Sequence, residues 1–142
     1  MYICAGAESV TFDGLSLTDA PVFAVDGLSD LTFANNIVQG NSVGVNFNAT
    51  GPTPSTFTHN RFVDNNLSGE NAGSSIFVSS GTVSGLVIDG NLFQGNVGDG
   101  VSNAADISTP GAATLSTGIV IQDNTSIDGA SFLVASNTSA PK

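Results

Sequence analysis

Short apolar runs alternate with small polar residues along the whole chain. The runs are built from Val, Ile, Leu and Phe, and Gly, Asn, Asp and Ser separate them. Short β-branched and aromatic runs between such residues are typical of β-strands joined by tight turns. Helix-favouring Glu, Lys, Arg, Gln and Met are scarce, while Gly and Asn recur every few positions. The pattern therefore predicts an all-β protein with no significant helix.

One motif recurs along the chain and carries an Asn at a fixed place. It consists of an apolar residue, two spacers and Asn, followed by a short run of mixed character. A degenerate copy, Phe12–Leu17, precedes the others. The aligned residues are Asn36, Asn60, Asn91 and Asn124, at intervals of 24, 31 and 33 residues. Because another short strand follows each copy, one repeat contains about three short strands.

A period of this length with several short strands indicates the coil of a solenoid. In a parallel β-helix each strand pairs in register with its copy one coil away, so equivalent positions stack into columns. Because a side-chain amide both donates and accepts hydrogen bonds, we expect the four aligned Asn residues to stack in one column at a bend. The inward stack beside them is expected to contain Phe12, Phe33, Phe57, Ile88 and Ile121.

Four F-x-x-N motifs lie along the chain, namely Phe33-x-x-Asn36, Phe57-x-x-Asn60, Phe62-x-x-Asn65 and Phe93-x-x-Asn96. They resemble the repeats of polymorphic outer-membrane and autotransporter-type adhesins. More broadly, residues 9 to 136 resemble the right-handed parallel β-helix repeat proteins of the pectate-lyase-like superfamily. The resemblance implies a right-handed parallel β-helix of about five coils, but it does not imply one function, because that fold hosts lyases, hydrolases, tailspikes and adhesin stalks.

We expect one β-helix domain over residues 1–142 that begins and ends in the middle of the solenoid. Tyr2–Ala5 matches the third strand of a preceding coil, and Ser131–Val134 still has the pattern of a core strand. The fourth coil is expected to place its third strand at Gly100–Asn103 and a loop at Ala104–Thr117. The chain is therefore predicted to be a segment of a longer β-helix or a subunit whose ends stack on neighbours.

The charge balance is strongly acidic and restricts the classes of partner. Lys and Arg number 2 against 12 Asp and Glu, for a net charge of −10. Arg61 and Lys142 cannot form the basic patch that nucleic acid requires. No apolar run is long enough to cross a membrane. Negative charge suits a secreted or surface protein, so we expect an extracellular or cell-surface location without membrane insertion.

The resemblance to polysaccharide-degrading enzymes implies a row of Asp residues with a basic residue as base or clamp. The candidates are His59, Arg61 and Asp64, with Arg61 as a carboxylate clamp and His59 as the titrating group. The alternative, which we favour, is a solvated turn with no catalytic role. A site for a polyanion would be unusual on so acidic a surface.

Two pairs of carboxylates share repeat positions, namely Asp13 with Asp89 and Asp64 with Asp128. Taking two coils between the partners of each pair, we expect separations of about 14 Å. That distance is too long for glycoside hydrolysis, which needs two carboxyl groups about 5–9.5 Å apart.

A calcium site is a further candidate, because Asp89, Asn91 and Asp99 place oxygen ligands on tight turns. The spacing does not match an EF-hand. Solvated turn acids are the alternative that we favour, and no other cofactor is predicted.

The leading hypothesis is a non-enzymatic extracellular structural or adhesive β-helix module that assembles end to end into filaments. Its expected partners are neighbouring β-helix coils or copies of itself, and carbohydrate. The alternative is a polysaccharide-binding or polysaccharide-degrading β-helix, of lyase or hydrolase type, or a fragment of one.

Overall fold

The structure is a computed structural model. It describes residues 7, 9–21, 23–28, 30–48, 54–66, 74–83, 85–97, 105–109, 113–115, 118–129 and 131–135. Across these residues the backbone forms 16 β-strands and no helix. The same part of the chain accordingly contains no helix that could cross a membrane.

The strands follow one another in groups, which we call repeats. Repeat 1 contains β1 (Val10–Asp13), β2 (Ser16–Thr18) and β3 (Phe23–Leu28). Repeat 2 contains β4 (Leu31–Ala34), β5 (Ile37–Gln39) and β6 (Val43–Asn48). Repeat 3 contains β7 (Thr56–Thr58), β8 (Arg61–Val63) and β9 (Ser74–Val83). Repeat 4 contains β10 (Val87–Asp89), β11 (Leu92–Gln94), β12 (Ala105–Thr109) and β13 (Ala113–Leu115). Repeat 5 contains β14 (Val120–Gln122), β15 (Thr125–Ile127) and β16 (Leu133–Ala135).

Each repeat contributes one strand to each of three parallel sheets. The first sheet has the order β1-β4-β7-β10-β14, the second β2-β5-β8-β11-β15, and the third β3-β6-β9-β12-β16. Strand β13 pairs with β9 beside the third sheet. Neighbouring strands pair at equivalent positions of successive repeats, and every described pairing is parallel. This all-β arrangement is compatible with a parallel β-helix.

A residue in the left-handed backbone region lies at almost every described change from one sheet to the next, the exception being the third corner before β7, where Pro54 stands. Gly, Asn and Asp tolerate this conformation best, so their regular recurrence in the sequence is explained by the corners. The first corner, between the first and second sheets, has Gly14, Asn35, His59, Gly90 and Asp123 at φ of 52–68°. The second corner, after the second sheet, has Asp19, Gly40, Asp64, Gly95 and Asp128 at φ of 50–64°. The third corner, before the first sheet, has Ser9, Asp30, Gly85 and Gly118 at φ of 54–73°.

The core lies between the three sheets and is built from columns of equivalent residues. In the second sheet the Phe62 and Phe93 rings stack at 5.0 Å with an interplanar angle of 8°. Both rings are fully buried, and burial of apolar area of this kind is the main favourable term in folding. The other buried columns run through the first sheet, with Phe33, Phe57 and Ile88, and the third, with Val25, Val45, Ile76 and Ile107.

The third strand of repeat 4 differs in position from the sequence prediction. We expected a loop over Ala104–Thr117, but β12 and β13 lie within it. Ala105 and Ile107 are buried and pair in register with Ser74 and Ile76 of repeat 3, which explains why this segment forms the strand. The segment expected to be that strand, Gly100–Asn103, and the terminal segment Tyr2–Ala5 lie outside the described residues.

The third sheet contains a close approach that only glycine permits. A Cβ atom on Gly44 in β6 would overlap the backbone carbonyl oxygen of Ser75 in β9. We expect Gly44→Ala to lower the free energy of unfolding by about 1–3 kcal/mol, the usual cost of overpacking. The exposed Thr32→Ala is the control and should change it by less than about 0.5 kcal/mol. Equal thermal unfolding midpoints for the two variants would contradict this packing.

Candidate functional site

The first corner holds a column of asparagine side chains that link successive repeats. Asn36, Asn60 and Asn91 are only 1–2% exposed, and Asn124 is partly buried. The Oδ1 atom of Asn60 accepts hydrogen bonds from both the backbone N–H and the Nδ2 of Asn36, at 2.9 and 3.1 Å. Asn91 accepts the same two bonds from Asn60, and Asn124 from Asn91, at 2.9–3.0 Å. The structure thus brings all four residues into one hydrogen-bonded column.

The second Nδ2 hydrogen of each residue extends the column to the first sheet. Asn36 donates to the carbonyl oxygen of Phe12 and Asn60 to that of Phe33, at 3.0 and 2.8 Å. Asn91 and Asn124 bond the equivalent carbonyls of the repeats before them, at 2.8 and 2.9 Å. Each Asn therefore bonds one backbone N–H and one backbone carbonyl of the repeat before it. The backbone N–H of each inner column Asn has no backbone acceptor in the next repeat, so the side-chain bond takes the place of a ladder bond at that residue.

The apolar stack predicted beside this column also forms one register. Phe12 pairs with Phe33, Phe33 with Phe57, Phe57 with Ile88, and Ile88 with Ile121. The aromatic centroids lie 5.8–5.9 Å apart, within the range of favourable ring contacts. The side chains of the middle three residues are fully buried. The apolar stack and the asparagine column thus follow the same register.

A second asparagine column lies at the second corner, and it was not among the stacks predicted from the sequence, although Asn65 and Asn96 end two of the F-x-x-N motifs. Asn65 Oδ1 accepts hydrogen bonds from the N–H and Nδ2 of Asn41, and Asn96 Oδ1 from those of Asn65, at 2.9–3.2 Å. Their Nδ2 groups bond the carbonyls of Leu17, Val38 and Phe62 in the second sheet. Each member follows a first-column Asn by five residues, and this spacing was the available signal.

The second column ends on a carboxylate supplied by another strand. The next position, five residues after Asn124, is Gly129. The fully buried Asp106 of β12 occupies this place, accepting hydrogen bonds from Asn96 Nδ2 at 3.0 Å and from Ser126 Oγ at 2.6 Å. A Cβ atom on Gly129 would lie only 3.4 Å from Asp106 Oδ2. Ser126 also stands in register with Phe93, so a hydroxyl replaces an aromatic ring beside the carboxylate.

Burial raises the pKa of the Asp106 carboxyl above its ordinary value. The hydrogen bonds from Ser126 and Asn96 lower this pKa, but they do not offset the loss of solvation. A raised pKa in the folded state means that folding favours the protonated acid. Asp106 therefore stabilises the fold most at low pH, and that contribution is lost as the pH rises through the folded-state pKa.

The three catalytic candidates occupy exposed positions at different places on the surface. His59 lies at the first corner of repeat 3, with its ring over Gly90 of the next repeat. Asp64 lies at the second corner, and Arg61 begins β8 between them. The three residues of β8 separate the corners by about 10 Å. All three candidates are exposed, so the local geometry does not assemble them in a cleft.

One of the two predicted carboxylate separations needs correction. Asp13 and Asp89 are three repeats apart through the register Asp13–Ala34–Thr58–Asp89, which gives about 14 Å. Asp64 and Asp128 lie in repeats 3 and 5 with only Gly95 between them at the second corner. Their separation along the stack is therefore about 10 Å and not about 14 Å.

Of the three calcium candidates, the structure describes Asp89 and Asn91, and these two do not offer a free set of ligands. The Asn91 Oδ1 atom already accepts two hydrogen bonds from Asn60, and Asp89 ends β10 beside it. Asp99 lies outside the described residues. Within the described part of the chain, no group of three or more His, Cys, Asp or Glu side chains is placed to bind a metal ion.

A cavity of about 330 Å³ lies at the N-terminal end of the stack. Its lining has no titratable side chain, so it offers no acid, base or carboxylate clamp. The lining residues are Ser16, Leu17, Thr18, Ala20, Ala24 and Asn41.

Comparison with known proteins gives no relative for this chain. No protein-family model, curated protein or solved structure matches it.

The first asparagine column is tested by shortening its central member. Asn60→Ala removes the acceptor of the Asn36 N–H and the donor to the Phe33 carbonyl, leaving both buried groups without partners. We expect the free energy of unfolding to fall by about 1–3 kcal/mol in denaturant titrations. Asn35→Gly, at the adjacent exposed corner with φ 55°, keeps the backbone conformation and should change it far less. Similar losses in both variants would show that the column does not stabilise the fold.

The buried carboxylate is tested by Asp106→Asn, measured by thermal unfolding between pH 4 and 8. An amide still accepts from Asn96 and can donate to Ser126, but it carries no charge to desolvate. We expect the variant to be more stable than the natural chain at pH 7 and this advantage to shrink as the pH falls towards 4. Asp123→Asn, at an exposed corner, controls for the loss of one negative charge. An advantage that stays constant or grows on acidification would contradict the role of burial.

Proposed function

We propose that the chain is a right-handed parallel β-helix of about five coils, and that it serves as a non-enzymatic structural or adhesive module. Its place of action is outside the cell or on the cell surface, and its partners are neighbouring β-helix coils, with carbohydrate as a further ligand. The observation that carries this proposal is the hydrogen bonding of the buried side chains in the two asparagine columns. The asparagines of both columns, and Asp106, are bonded to the protein itself.

The distribution of the titratable groups supports a scaffold. His59, Arg61 and Asp64 lie in the open, and the cavity near Asn41 has no titratable lining. General acid–base chemistry needs such groups within hydrogen-bonding reach of one substrate atom.

The acidic exterior supports an extracellular role and disfavours a polyanionic substrate. The net charge is −10, and the second corner alone presents Asp19, Asp64 and Asp128 to solvent. A surface of one sign stays hydrated and repels molecules of the same sign. Neutral carbohydrate is therefore favoured over acidic polysaccharide as a ligand.

The two ends of the stack support association with further β-strands. Strands β1, β2 and β3 form one edge, which we call the N-terminal edge, and β14, β15 and β16 form the C-terminal edge. Edge strands present backbone groups that can pair with another strand. Four of the exposed large hydrophobic residues lie in repeat 5: Val120, Ile127, Phe132 and Leu133.

A polysaccharide-degrading enzyme remains the second candidate because of one spacing. The separation of about 10 Å between Asp64 and Asp128 is close to the upper end of the range used by inverting glycosidases. Both side chains are exposed at the second corner, where the Asp64 carboxylate lies against Gly95.

The two functions are separated by incubating the chain with acidic and neutral polysaccharides. New reducing ends and unsaturated products are then measured. We expect no turnover, because the candidate groups share no cleft. Asp64→Ala, Asp128→Ala and Arg61→Ala are the test variants, and Asp123→Ala is the control for charge. Turnover that any test variant abolishes while Asp123→Ala retains it would overturn the proposal.

A further inference from the structure

Between repeats, the hydrogen bonds from the column asparagine side chains to backbone groups all run in one direction, from each Asn to the repeat before it. In the first column, every Asn bonds the backbone N–H at the first corner and the carbonyl in the first sheet of the repeat before it. The same interface between repeats therefore occurs several times in one chain, always with the Asn on the C-terminal side. A repeat that lacks this Asn cannot complete the interface with a repeat before it.

Repeat 1 is such a repeat. Its residue at the first-column position is Leu15, whose backbone N–H donates to Asn36 Oδ1 at 2.9 Å. Ala20 takes the corresponding position of the second column and donates to Asn41 Oδ1 at 2.8 Å. The backbone N–H of each residue donates to a side-chain amide of repeat 2. Neither the Leu15 nor the Ala20 side chain carries an amide that could bond a repeat on its other side. The N-terminal edge thus lacks the group that every later first-column position supplies.

The C-terminal edge has the opposite character. Asn124 Nδ2 bonds the carbonyls of Ile88 and Gln122, at 2.9 and 2.7 Å. Among the described residues, no atom accepts a hydrogen bond from the Asn124 backbone N–H. The carbonyl of Ile121, equivalent to that of Phe12, receives no side-chain amide from them. This edge therefore carries a donor and an acceptor in the places where an Asn of a following repeat would bond.

We propose that the C-terminal edge binds a parallel β-strand repeat that places an Asn against Asn124 and Ile121. The partner is defined by this amide together with apolar side chains that cover the exposed Ile127 and Leu133. Leu15 prevents the N-terminal edge of a second copy from being this partner, because docking would leave the Asn124 N–H and the Ile121 carbonyl buried without bonds. The inference rests on the proposed stacking role and specifies its partner and its direction.

The test is to supply the missing amide. Leu15 is 40% exposed, so the fold should tolerate Leu15→Asn. This variant presents an Asn at its N-terminal edge. A second copy of the same variant can therefore serve as the partner of the C-terminal edge. We expect sedimentation velocity to show head-to-tail association at least tenfold tighter than that of the natural chain, from two or three new hydrogen bonds. Leu15→Ala, which removes the apolar side chain without adding an amide, is the matched control.

A second substitution identifies the edge that the new amide contacts. Adding Ile127→Lys to the Leu15→Asn variant places a charge on the exposed β15 strand of the C-terminal edge. We expect this double variant to return to the association of the natural chain. Circular dichroism and thermal unfolding of each variant verify that it is folded.

Three results would overturn the inference. They are natural chains that already associate head to tail as tightly as Leu15→Asn, equal association of Leu15→Asn and Leu15→Ala, and association that Ile127→Lys leaves unchanged. The first is measured on the natural chain and needs no folded variant. None of these results depends on polysaccharide turnover, so failure of this inference and failure of the proposed function are distinguishable.

Discussion

Hydrogen bonding of buried side-chain amides between successive repeats is the interaction on which the rest of the structure depends. Most backbone groups bond one another between repeats, but at the first and second corners the N–H of each inner column Asn bonds a side-chain amide of the next repeat instead. An Asn side chain can bond both a backbone N–H and a carbonyl because it accepts and donates at once. In the first column Asn60 bonds the Asn36 N–H, the Phe33 carbonyl and the next amide, Asn91. Carboxylates could supply only the acceptor.

The corner geometry and the amide columns account together for the unusual composition. A left-handed residue such as Asn35 or Gly95 turns the chain, and the next residue, Asn36 or Asn96, directs its amide inwards. Gly, Asn and Asp are thereby favoured at the corners, although Ser9 and His59 also occupy corner positions, and apolar columns fill the core. Among the side chains that the structure describes, the acidic ones other than Asp106 are exposed or half-buried. This division of roles supports a scaffold better than an active site.

The structural features that recur in every repeat could be predicted from the sequence, whereas the features found in a single repeat could not. The all-β character and the Asn36 column follow from a motif that recurs at one position. The second column was accessible in the same way, because each member follows a first-column Asn by five residues, yet stacking was predicted only for the first. Asp106 could not be placed, because it reaches the column from another strand and no other repeat has an equivalent. The strand at Ala105–Thr109 was missed because an insertion of variable length precedes it.

Hydrogen exchange at the corners tests most directly whether the amide columns hold the repeats together. The backbone N–H groups of Asn36, Asn60 and Asn91 lie outside the strands and are bonded only to a side chain of the next repeat. If the columns are integral to the fold, these three amides exchange only on global unfolding, while the Asn124 N–H at the open edge exchanges orders of magnitude faster. Rapid exchange of the Asn36, Asn60 and Asn91 amides, at the rate of the exposed corner residues, would contradict this role.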